Sequence, residues 1–263
     1  MGVEMEKRHA ILLSGFARNY EKTLKYFNQN LRTADNVDLF VCFWNYRGSR
    51  KKGKHETIKK SKGDYQVICL DRDNGFLDIE KMSSDYNPTK GKIFDLDEIT
   101  EIVEPLAKIV GHTSAVPEGK RSYYNVTRVA LMFYMIKQAF LLMQQHEEKN
   151  GFKYENVVRA RTDFVLGGYY PKVSWEKSYS DIHVGDWNWS GIGKFKLNDH
   201  FAISSRDNME VYCKFFNHMD TVSQAFQTNK YKSTFGKKSK AWSPEHMLSI
   251  YFHEKGIKWK AWK

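Results

Sequence analysis

A chain of 263 residues with 41% apolar content is too apolar to stay disordered, and it is long enough for one large α/β domain or two small ones. Its 42 basic and 31 acidic side chains give a net charge of +11, which favours nucleic acid, phosphorylated ligands or an anionic membrane surface as partner. Three cysteines, Cys42, Cys69 and Cys213, lack C-x-x-C spacing, which argues against a disulfide framework or a structural zinc site and for buried free thiols in a reducing compartment.

The apolar run within MGVEMEKRHAILLSGF is about five residues, short of a signal peptide or a membrane span. Position 6 is Glu6, so the myristoylation pattern fails as well. A soluble cytoplasmic chain is expected. The glycosylation sequons at Asn125 and Asn188 then occur by chance. HAILLSGF (9–16) reads as a first strand running into a loop. Residues 17–32 have helical spacing, with Tyr20, Leu24, Phe27 and Leu31 on one side. VDLFVCFWN (37–45) is a second buried strand, so the chain opens as the unit of a parallel sheet. Residues 46–63 form a basic solvated segment, and YQVICL (65–70) a third strand. Residues 71–92 are polar and turn-rich. LDEITEIVEPLAKIV (96–110) suggests a helix interrupted near Pro105, and 113–125 a loop. The strongest helix signal runs over 126–150: good helix formers, no proline, and Met132, Met135 and Met143 as core.

YENVVRARTDFVL (154–166) is the next strand. GDWNWSGIGKFKLNDHFAISS (185–205) begins as a Gly/Trp-rich loop and ends in a strand. An amphipathic helix covers 206–219, and a second basic loop 227–241. Ser243, Pro244 and Glu245 together mark a helix start. There is no internal repeat or long linker, so a single domain over 1–263 is expected.

Three constellations carry chemistry. In LLSGFARNYEKT a strand, a glycine turn and a helix start make an anion site, where Ser14 and Gly15 admit a ligand and Arg18 reaches a phosphate or a base. A plain strand-to-helix turn is the alternative, because neither nucleotide-binding glycine motif is present. In VVRARTDFVLGG, alternation puts Arg159, Arg161 and Asp163 on one face of a strand. They form either a structural ion-pair network or a cleft at the carboxyl end of the strand. In the cleft Asp163 would hold a divalent metal and the arginines a diphosphate. In LNDHFAISS and SPEHML, Asp199 and Glu245 are candidate general bases, each with a histidine beside it, His200 and His246. The alternative for Glu245 is a capping role at its helix end.

ILLSGFARNYEKT, VDLFVCFWN, YENVVRARTDF, NDHFAISSRDNMEVY and SPEHMLSIYFHEKGI together resemble small GT-A-type nucleotide-sugar glycosyltransferases. Such enzymes occur in bacterial lipopolysaccharide or capsule loci and in large algal DNA viruses. The resemblance implies an α/β fold with a Rossmann-like, mixed but mostly parallel sheet flanked by helices. It implies a nucleotide-sugar donor, UDP-xylose or a UDP-hexose among the candidates, and a glycan acceptor. It also implies a Mn²⁺ or Mg²⁺ ion on an Asp-x-Asp motif. Here that motif reads Arg161-Thr162-Asp163, so only the second carboxylate is present. By the same resemblance the donor is bound by Ser14, Gly15, Arg18, Arg159, Arg161 and metal-bound Asp163. The acceptor meets Trp187, Trp189 and His200, and Glu245, or else Asp199, is the base of an inverting transfer. Two other classes stay open: a nucleotidyltransferase, and a basic nucleic-acid-binding protein. The second lacks any helix-turn-helix, zinc-finger or RNA-recognition signature, so no nucleic-acid partner is expected. The Lys/Trp-rich KWKAWK allows at most peripheral membrane contact.

Overall fold

The computed structural model describes residues 7–15, 17, 20–45, 76–113, 122–162, 170–185, 197, 199–227 and 244–262. The expected strand at 65–70 and the basic segments 46–63 and 228–241 lie outside them. The core is a seven-stranded mixed sheet. Its strands are β1 (His9–Gly15), β2 (Val37–Trp44), β3 (Lys90–Phe94), β4 (Asn156–Ala160), β5 (Ile182–Gly185), β6 (Phe201–Ser205) and β7 (Trp259–Trp262). Their order is β3-β2-β1-β4-β6-β5-β7. The pairs β1–β2, β2–β3, β1–β4 and β5–β7 are parallel, while β6 runs antiparallel to both β4 and β5. Six strands therefore share one direction, giving an α/β architecture with a mostly parallel sheet.

Alternation along the strands feeds two cores. Ala10, Leu12, Phe40, Cys42, Val157 and Ala202 face one side. That side is covered by α3 (Leu96–Thr113), α4 (Ser122–Asn150), α5 (Arg206–Cys213), α6 (Met219–Gln227) and α7 (Pro244–Glu254). Ile11, Leu13, Val41, Val158 and Ile203 face the other side. It is closed by α1 (Tyr20–Asn30), α2 (Ile79–Tyr86) and the segment around Tyr170, Trp175 and Tyr179. In α1 the buried positions are Tyr20, Thr23 and Phe27, with Leu31 just beyond, while Leu24 is half-buried. The helix α4 packs across β1, β2 and β3. From Val126 it is long and apolar enough to cross a membrane, but 67% of that window is buried against the protein.

Three local expectations are corrected. The helix α3 does not break at Pro105 but continues to Thr113. Ile99, Val103 and Ala107 are buried on one stripe beside α4, and that packing offsets the roughly 3 kcal/mol that an interior proline costs. Within 71–92, α2 and β3 stand where turns were expected. Asp78 caps α2 by accepting from the Lys81 amide, and Asn87 ends it in the left-handed conformation at φ 41°. The edge strand β3 buries only Phe94, so its lysines hid it from a search for apolar runs. Finally, the expected helix over 206–219 is α5 followed by a 3₁₀ turn at Lys214–His218.

Candidate active site

In open sheets with parallel strands, ligands bind beyond the carboxyl ends of the strands, where the strand order reverses. The chain runs outward from β1 to β2 and β3, then returns to place β4 on the other side of β1. The reversal therefore lies between β1 and β4, at Ser14–Gly15 and Ala160–Arg161. Gly15 has φ +106°, a backbone conformation that L side chains rarely adopt, and a Cβ there would meet no heavy atom within 4 Å. A ligand can thus come close to the backbone of this turn.

The chain after β4 is pinned. Thr23 Oγ1 donates to the Thr162 carbonyl at 2.6 Å, and Tyr170 OH donates to the Arg161 carbonyl at 2.6 Å. The Arg161 amide donates to the His200 carbonyl, which extends the β4–β6 ladder by one step. Because β6 is antiparallel, Asp199 and His200, which precede it, fall at this same edge. The Arg161 guanidinium donates to Asp199 at 3.1 Å, and His200 Nε2 lies 3.4 Å from the other Asp199 oxygen. Asp199 is only 3% exposed, and its carboxylate is held between Arg161 and His200.

Arg159 is one step back along β4, paired with Leu12 of β1 and Ala202 of β6. Its neighbours Val158 and Ala160 belong to the opposite core, so the side chain lies on the α4–α5 face, where its charge is felt by Tyr212 and Cys213. Burial pushes the Tyr212 phenol far up, and the Arg159 charge pulls the other way. The face shared by Arg159 and Arg161 is thus as alternation implied. Arg161 forms an ion pair with Asp199, while Asp163, the carboxylate of the expected ion-pair network, lies outside the described residues.

Glu245 sits in the first turn of α7 and is half-buried. The helix leads into β7, which is parallel to β5 and so to β1. Its N-terminus therefore belongs to the carboxyl side of the sheet, on the α4 face. His246 is 3% exposed beside it. Fold topology thus places Ser14, Gly15, Arg161, Asp199 and His200 at the β1–β4 edge, Arg159 one step behind it, and Glu245 on the carboxyl side of the sheet. Arg18, Asp163, Trp187 and Trp189 lie outside the described residues. Sequence reasoning missed Thr23, Tyr170 and Tyr212; Tyr212 reads only as an apolar position of an amphipathic helix.

No group of three or more His, Cys, Asp or Glu side chains suited to a metal ion is found among the described residues. Asp199, the carboxylate at the edge, is already engaged by Arg161 and His200. The described residues do not by themselves fit a resident cation, and no step below passes through one. An open groove of about 580 Å³ lies at the opposite, amino edge, lined by Glu147, Gly151, Phe152, Arg206 and Glu210 among others. Arg206 pairs there with both Glu147 and Glu210. Glu147 accepts from the Tyr154 amide and from Arg206 at 3.0 Å, and Arg206 also pairs with Glu210.

No family model matches the sequence, and no curated protein matches it. Two solved structures of the glycosyltransferase GlyE of Streptococcus pneumoniae TIGR4, one of them the apo form, are similar at 7% and 8% identity. They have TM-scores of 0.37 and 0.36 and match 98% and 97% of this chain. The chain spans 45% of the length of each. Likeness at that level assigns no activity. The class that the molecule's own topology defines is an α/β protein with a mixed, mostly parallel sheet, and its candidate ligand edge lies between β1 and β4.

Proposed function

We propose that the chain is a nucleotide-sugar glycosyltransferase of GT-A type, with residues 1–263 as its transferase domain and a glycan hydroxyl as acceptor. What supports this reading is that a glycine turn, two arginines of one strand and a carboxylate-bearing helix start all belong to the carboxyl side of one sheet. In this reading the donor diphosphate lies over Gly15 and meets Arg161, whose planar fork suits phosphate oxygens. Asp199 sets the orientation of Arg161 rather than acting as the base. Glu245 takes the proton from the acceptor hydroxyl as its oxygen bonds to the anomeric carbon. The bond from that carbon to the diphosphate breaks, and the leaving charge is stabilised by the arginines. His200 and the Trp187–Trp189 segment are assigned to the acceptor. A Mn²⁺ or Mg²⁺ ion, if Asp163 holds one, would supply further charge for the leaving group. Buried Cys42 and Cys213 support a reducing compartment such as the cytoplasm.

The test is product analysis. The protein is incubated with a panel of UDP-sugars and other nucleotide sugars, with and without Mn²⁺, and the released nucleotide is identified. Released nucleoside diphosphate supports a glycosyltransferase. Release of pyrophosphate instead would mark a nucleotidyltransferase, and no turnover of any donor would remove the reading.

A further inference from the structure

Four fully charged side chains are buried among the described residues: Glu147, Arg159, Asp199 and Arg206. Glu147 and Arg206 pair with each other, and Asp199 pairs with Arg161. Arg159 differs. It is 0% exposed, and none of its three guanidinium nitrogens has a hydrogen-bond partner. Ser14 Oγ and Tyr212 OH on the same side of the sheet are equally unpartnered. An arginine cannot escape burial by losing its proton, so a lone buried guanidinium is strongly disfavoured unless an anion joins it. The nearby carboxylate, Asp199, is already taken.

The position of Arg159 says where the anion enters. Its Cα is two residues inside Arg161 on β4, about 6.6 Å along the strand and on the face that alternation gives Arg161, and it pairs with Leu12, three residues before the turn that Gly15 leaves open. Two guanidinium forks in line suit two linked phosphoryl groups better than a single carboxylate.

We propose that Arg159 is a resident counter-charge for a ligand's diphosphate, and that the chain binds a nucleoside diphosphate without a divalent cation. This rests on the nucleotide-sugar reading above and names how its donor is held.

The experiment is calorimetric titration of the full chain with UDP and, separately, with inorganic pyrophosphate, first in EDTA and then with Mn²⁺. Wild type is expected to bind both probes in EDTA. Arg159→Met keeps the bulk and drops the charge. It should weaken both probes by about 30-fold or more while its Tm stays level or rises, because a lone buried charge has been removed. Unchanged affinity in Arg159→Met overturns the inference, as does a fall in its Tm with affinity kept, which marks a structural cation. Should that variant not fold, Arg159→Lys is the second arm. It keeps a charge but loses the fork, and it should weaken UDP by about tenfold at native Tm; wild-type affinity there also overturns the proposal. Binding of UDP by wild type only when Mn²⁺ is present overturns the inference and leaves the glycosyltransferase reading standing. Arg159-dependent binding of pyrophosphate but of no nucleotide does the reverse: Arg159 remains an anion receptor and the nucleotide-sugar reading fails.

Discussion

At the scale of single residues, Asp199 and Glu245 entered as rival bases, and their variants separate them. Asp199 is clamped by Arg161 and His200, whereas Glu245 stands at a helix start with its backbone carbonyl accepting from Ser249. Glu245→Gln is expected to lower kcat by about 100- to 10,000-fold with donor KM nearly unchanged, as the loss of a general base does. Asp199→Asn is expected to raise donor KM and to destabilise the fold by about 1–3 kcal/mol, because Arg161 loses its charged partner. Steady-state kinetics and urea unfolding of both variants check the assignment; a kcat collapse in Asp199→Asn with KM intact would reverse it. The pairing of Arg161 with Asp199 was not legible beforehand. The two are 38 residues apart, and only the antiparallel turn of β6 brings them together. The shared face of Arg159 and Arg161 was legible, since alternation along a strand is a local rule.

At the scale of elements, sequence reading succeeded where one face is apolar and failed where packing decides. The strands β1 and β2 and the helix α4 are continuous apolar or amphipathic runs. The edge strands β3 and β7 are short and lysine-rich, and the apolar pattern cannot show them. In β7, Trp262 stacks on Tyr179 at 5.8 Å and Trp259 packs on the other core, so both tryptophans of KWKAWK serve the sheet. Two substitutions test element packing. At Gly91 of β3 a Cβ would meet Val41 Cγ2 at 2.8 Å, so Gly91→Ala should destabilise by about 1–3 kcal/mol by overpacking. Arg206 joins α5 to α4 through Glu147 at 3.0 Å. Arg206→Met leaves the buried Glu147 carboxylate without its cation and should destabilise by about 3–5 kcal/mol in urea unfolding. The expected contrast with Arg159→Met, which leaves no partner stranded, is the sharper result.

For the whole molecule, charge and topology set behaviour. Burial lowers the pKa of His9, His146, His183 and His218 below the ordinary 6.5. A group with a depressed folded pKa favours the folded state above its unfolded pKa and loses that contribution as the pH falls through the folded value. Stability should therefore drop on acidification below about pH 6.5, aided by growing self-repulsion of a chain already at +11. Urea midpoints that stay flat from about pH 7 to pH 5 would contradict this. The opening β-α-β unit was readable from apolar runs. The strand order was not, because register and crossovers are long-range outcomes, and it is this order that makes the β1–β4 edge the candidate site. The most direct test of that claim is amide hydrogen exchange with and without UDP. Added protection at Gly15, Arg161 and Thr162, with the amino-edge groove around Glu147 and Arg206 unchanged, is the predicted result. Protection confined to that groove, or none at the β1–β4 edge under saturating UDP, would contradict the account.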